Sequence, residues 1–185
     1  QMRVQLLIAE AALLRQAEQS AAALALLEHE LGEQADQPEL LYESALLAER
    51  LGRLEVMEKR LRKLIELQPQ SAQAYNALGY SYADRNMRLV EARQLIETAL
   101  QLAPNDPFIL DSMGWVLFRQ GELENALMHL QRAYTQRSDA EIAAHLGEVL
   151  WMLGRTDEAQ RTWNEALQRH PESAELQKVR KRFSP

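Results

Sequence analysis

A chain of 185 residues that is 46% apolar but only 6% aromatic, with seven glycines, can bury a sizeable core and has the make-up of packed helices rather than strands. Its formal charge of −6 argues against nucleic-acid binding, which needs clustered Lys and Arg to neutralise phosphate, and the lack of cysteine excludes disulfides, thiolate metal sites and thiol nucleophiles. No run approaches the roughly 18 apolar residues that span a bilayer, so direct membrane insertion by this chain is not expected.

The start, Gln1-Met2-Arg3-Val4-Gln5-Leu6-Leu7-Ile8, lacks a signal-peptide pattern and reads as helix interior, as an excerpt from a longer protein would. Residues 1–37 read as a degenerate or truncated helical hairpin, with Ala17 at its turn and a blurred register over Gln19–Ala25. Four clearer units follow at 38–71, 72–106, 107–139 and 140–171, and 172–185 is left for a capping helix and tail. Within them the spacing predicts helices at 38–51 and 54–67, 71–85 and 89–102, 106–120 and 123–136, 139–153 and 156–169. Gly79, Gly114 and Gly147 are 35 and 33 residues apart, a period near 34. Ala92, Ala126 and Ala159 recur in phase with them, as do Ala99, Ala133 and Ala166, and Pro69, Pro104 and Pro171 close three units, with Ser138 in the remaining place. Gly52, Asn86, Gly121 and Gly154 fall mid-unit, where a helix ending in a left-handed residue needs Gly or Asn. Asp106 before Pro107 is an N-cap signal, and Thr156 after Gly154 is expected to cap the helix that follows.

Over 38–171 this pattern resembles the tetratricopeptide repeat family. Small residues stand at the helix crossings (Ala45, Gly79, Gly114 and Gly147, then Ala92, Ala126 and Ala159), with large apolar partners such as Leu41, Leu78, Leu110, Leu130 and Trp163 between them. The resemblance implies an all-α fold, a right-handed superhelical solenoid of stacked antiparallel hairpins with a C-terminal capping helix, whose first helices line a concave groove. Met57 and Leu64 depart from the pattern by filling small-residue positions, so the hairpin 38–71 is expected to be splayed or shifted.

At the helical period a second set of side chains lies opposite the inter-helix seam. It yields a candidate protein-binding groove of Tyr42, Leu46, Asn76, Tyr80, Phe108, Asp111, Trp115, Phe118, Arg119, Glu148 and Trp151. Its aromatic residues suit an apolar or amphipathic segment of a partner protein, and its acids suit basic residues. Phe108 and Phe118 are equally readable as packing within the stack. A clamp for a partner's terminal carboxylate would need more cations and amides than Asn76 and Arg119 supply. Catalysis has no footing: His29, His129, His145 and His170 show no metal spacing and read as surface residues, and no phosphate loop, cofactor motif or nucleophile setting is present. The basic run Lys178–Arg182 reads as the solvated face of a cap helix.

The fragments Asn76–Arg85, Ala103–Pro107 and Asp111–Val116 are also similar to the C-terminal repeats of large tetratricopeptide lipoproteins of Gram-negative bacteria. That resemblance implies a place on the periplasmic side of the outer membrane and a role as adaptor of a carboxyl-terminal processing protease that degrades cell-wall hydrolases. The alternatives are a structural module that self-associates and a regulatory repeat domain of a larger protein.

Overall fold

A computed structural model describes residues 2–33 and 36–183. Eleven helices and no strand lie among them: α1 Met2–Gln16, α2 Ser20–Glu33, α3 Pro38–Arg50, α4 Leu54–Leu67, α5 Ala72–Asp84, α6 Leu89–Leu102, α7 Pro107–Arg119, α8 Leu123–Gln136, α9 Ala140–Met152, α10 Thr156–Arg169 and α11 Ala174–Phe183. From α3 to α10 each helix ends within a residue of where the spacing places it. None of the described helices is long and apolar enough to cross a membrane.

The turns inside the hairpins share one geometry. A left-handed residue (Glu18, Gly52, Asn86, Gly121 or Gly154) sits two positions beyond the first helix, and the α5–α6 turn adds a second at Arg88. The amide after it donates to the carbonyl five residues back: Gln19 to Leu14 at 2.8 Å, Arg53 to Ala48 at 2.8 Å, Met87 to Tyr82 at 2.8 Å, Glu122 to Leu117 at 2.9 Å and Arg155 to Leu150 at 2.9 Å. This closure satisfies carbonyls that the helix leaves orphaned. In the first hairpin the left-handed position is Glu18 (φ 60°) and not Ala17, a one-residue correction. Asp106 caps α7 as its sequence predicts, accepting from the amides of Phe108 at 2.8 Å and Ile109 at 3.2 Å. Thr156 does not act as a cap: it is already the first residue of α10, whose N-cap is Arg155 with no side-chain capping bond.

The chain divides into two compact units, the first running to Ser81 and the second starting at Tyr82, inside α5. In the first, α1 packs on α2 and α3 on α4. Leu24, Leu27, Leu40 and Leu61 are fully buried. Met57 and Leu64 are buried too, and the α3–α4 hairpin closes around them because α3 contributes the small residues Ser44, Ala45 and Ala48. In the second unit α7 packs on α8 and α9 on α10, and α11 lies against both α9 and α10. Two crossings there depend on glycine. A Cβ on Gly114 would stand 2.5 Å from Leu130 Cγ, and one on Gly147 would enter the Trp163 indole, whose Nε1 donates to the Ala144 carbonyl at 3.3 Å.

Candidate protein-binding cleft

Where the first helices of the second unit stand side by side, they leave a cleft of about 440 Å³. Asp84 at the end of α5, Trp115 and Arg119 of α7, and His145 and Glu148 of α9 form one side, and Glu175, Lys178, Val179 and Arg182 of α11 form the other. The apolar faces of α7 and α9 turn toward α8 and α10, so this polar and aromatic set is what remains on the opposite face.

His145 organises the floor. It is buried, and its Nδ1 lies 3.0 Å from both carboxylate oxygens of Asp111, which is also buried. The two residues are 34 positions apart, one more than the 33-residue offset between α7 and α9, so they sit one position out of register on adjacent first helices. Burial by itself pulls the imidazole pKa down. The Asp111 carboxylate, through charge and hydrogen bond, and then Glu141 and Glu175 outweigh it and push the pKa up to about 9. Glu175 feels the converse: desolvation of its carboxyl raises its pKa, His145 opposes, and Glu141, Asp111 and Asp84 add to the rise. The ligand atoms of Glu141, His145 and Glu175 all lie within 4.8 Å of one another.

Trp115 covers this pair. Its ring stacks on His145 with centroids 4.0 Å apart and on Phe118 at 5.1 Å. The residue is 6% exposed, and its buried Nε1 has no hydrogen-bond partner among the described residues. Arg119 lies over the Trp115 ring at 5.1 Å and donates from Nε to the Ala83 carbonyl at 3.2 Å and from Nη2 to the Asp84 carbonyl at 2.5 Å, closing the end of α5. Glu148 is buried and meets Arg182 of α11 at 3.1 Å.

Asp111, Trp115, Phe118, Arg119 and Glu148 are thus brought together. Trp151 stands apart from them at the junction of α9, α10 and α11, stacked on Trp163 at 6.0 Å and beside Phe183 at 5.5 Å. Phe108 is 43% exposed at the start of α7, under the Arg137 guanidinium at 4.9 Å. The other four lie in the first unit. Tyr42 is half-buried in a smaller cleft of about 240 Å³ with Ile8, Glu39 and Gln73. Burial, with Glu43 and Glu49 nearby, raises its phenol pKa. Leu46, Asn76 and Tyr80 are half-buried, and Asn76 Oδ1 is buried without a hydrogen-bond partner among the described residues.

The expectation that His145 is a surface residue is overturned by its pairing with Asp111. The sequence held one signal for that pairing: the two residues lie close to one repeat apart, on first helices that stand side by side. The segment Glu172–Phe183 also did not announce that its Glu175 and Arg182 reach back to α9.

Tetratricopeptide-repeat family models match residues 58–107 and 117–183, which together take in most of the second unit and the last part of the first. The chain belongs to the tetratricopeptide repeat family. A TPR repeat-containing protein of Pseudomonas aeruginosa is 45% identical over 145 residues, which are 78% of this chain and 25% of that protein. The chain therefore spans about a quarter of that relative's length. Among solved structures, a thermophilic TPR protein of Thermus thermophilus is similar with a TM-score of 0.83 at 25% identity, over 94% of this chain and 95% of that one. The pilF protein of Pseudomonas aeruginosa shares the fold with a TM-score of 0.76 at 16% identity, over 97% of this chain and 84% of that one. Tetratricopeptide repeats are scaffolds for protein–protein interaction, and this one carries its polar and aromatic cleft on its first helices.

Proposed function

We propose that this tetratricopeptide-repeat segment is a protein-binding adaptor that holds a segment of its partner in the cleft between α7, α9 and α11. The cleft's lining carries the reading: an aromatic floor at Trp115, cations at Arg119, Lys178 and Arg182, and anions at Asp84, Glu148 and Glu175. That mixture suits an amphipathic segment with charges of both signs. The finer reading is that the segment belongs to an outer-membrane lipoprotein facing the periplasm, acting as adaptor of a carboxyl-terminal processing protease on cell-wall hydrolases. The fragments Asn76–Arg85, Ala103–Pro107 and Asp111–Val116 are what support it.

The test is direct binding of purified periplasmic carboxyl-terminal processing protease to the immobilised chain, compared with a Lys178→Glu variant. Lys178 is exposed on α11 and lines the cleft, so its reversal leaves the core intact. Binding weakened about tenfold by that one rim charge is the expected result. No binding by the parent sinks the protease assignment; binding that the variant leaves unchanged sinks the cleft.

One observation favours a second reading. Met2, Leu6 and Leu13 of α1 are 80%, 66% and 66% exposed and fall along one helical face. Such a stripe suits packing against another helical hairpin, whether from a second copy or from elsewhere in a longer polypeptide.

A further inference from the structure

We propose that Glu141, His145 and Glu175 form a divalent transition-metal site where α9 meets α11, with Zn²⁺ as the ion their donors fit. Two carboxylates and an imidazole are borderline-hard ligands of the kinds zinc takes from proteins, and their donor atoms already lie within 4.8 Å of one another. Glu141 and His145 are four residues apart on α9 and share a face, while Glu175 arrives from the first turn of α11. A tetrahedral ion with bonds of about 2.0–2.2 Å requires donors roughly 3.4 Å apart. The trio therefore has to close by about an ångström, and Glu175, exposed at the end of its helix, is the member with room to move.

Asp111 makes the trio more than a chance meeting of acids. It lies outside the trio, on α7, is itself buried, and places both oxygens 3.0 Å from His145 Nδ1. Histidine ligands to metals are commonly held in this way: a carboxylate takes one ring nitrogen, fixes the tautomer and raises the basicity of the other. With Nδ1 engaged, Nε2 is the nitrogen a metal would use. The stacked Trp115 ring, 4.0 Å away, fixes the imidazole plane. Three carboxylates around one imidazole form a pocket for a cation, and a metal bound there takes the place of the proton on Nε2, which leaves to solvent. Three protein ligands leave a fourth position, on the side where His145 and Glu175 border the cleft, for water or an oxygen donor of a bound segment. Calcium and magnesium ask for more oxygen ligands than the trio offers.

The inference stands apart from the choice of partner, because no partner is needed to test it. Chelator-treated protein would be titrated with ZnCl₂ by calorimetry, alongside Glu141→Gln, Glu175→Gln and a His29→Gln/His129→Gln/His170→Gln triple variant. One Zn²⁺ per chain is expected, weakened at least tenfold in either Glu→Gln variant and kept in the triple variant. Imidazole ¹⁵N spectra should show Nε2 of His145 moving to the shift of a metallated nitrogen. Absence of stoichiometric binding overturns the site. So does binding that both Glu→Gln variants retain at parental affinity, or that the triple variant loses.

Discussion

Gly147 has no space for a side chain, since a Cβ there would lie inside the Trp163 ring, which is itself buried and hydrogen-bonded to Ala144. Gly147→Ala is expected to destabilise the second unit by about 2 kcal/mol, the usual cost of overpacking, read as a shift in urea midpoint at unchanged slope. His145 predicts a dependence on pH. Its folded pKa of about 9 is above the ordinary 6.5, so its contribution is complete below pH 6.5 and is lost as pH rises through 9. For the metal-free protein, unfolding free energy should fall by up to about 3 kcal/mol across that window. The Asp111→Asn variant should lose most of that slope, and a parental slope retained in it would remove Asp111 as the cause. Trp115 carries a lesson for mutagenesis. At 6% exposure its truncation removes core packing, so loss of binding in Trp115→Ala could not be told from loss of structure.

Among the elements, α11 is the most polar, yet it buries Leu176 completely and Val179 nearly so and places Phe183 against both Trp151 and Trp163. Leu176→Ala should cost about 2–4 kcal/mol and loosen the lid of the cleft first, seen as faster amide exchange over 174–183 than over α9. Helix bounds from α3 onward were legible in the sequence because their punctuation is local: Gly52, Asn86, Gly121 and Gly154 each stop a helix without reference to distant residues. The first hairpin was legible only in outline, since its left-handed position is held by Glu18, a residue that advertises no such geometry. The cleft was half legible. A helical wheel finds Asp111, Trp115, Arg119 and Glu148 on one face of their helices, but it treats each helix alone. It therefore misses that α9 lays His145 over Trp115, and that α11 draws Glu148 into an ion pair and Trp151 into a separate aromatic cluster.

For the molecule as a whole, the repeat period decided the family before any contact was known, because a 34-residue recurrence of small residues and turn residues has few structural meanings. What the period could not reveal was how the chain divides into units at α5. The α1 stripe gives the prediction at this scale. If Leu6 and Leu13 mediate association of copies, scattering mass should rise with concentration for the parent and stay at 21.2 kDa for a Leu6→Glu/Leu13→Glu variant. A constant monomer mass for both proteins rules out pairing through this face.

The hydrogen bonds that join neighbouring hairpins in the second unit span a narrow range in sequence, from 27 residues for Arg132 with Asn105 to 35 for Asp84 with Arg119 and for Tyr134 with Arg169, with Asp111 and His145 at 34. Loop-closure entropy depends on that span and not on total length. A polypeptide built by adding such hairpins thus keeps the same entropic cost per joint however long it grows. Its second unit can begin to order during synthesis as soon as two adjacent hairpins have left the ribosome.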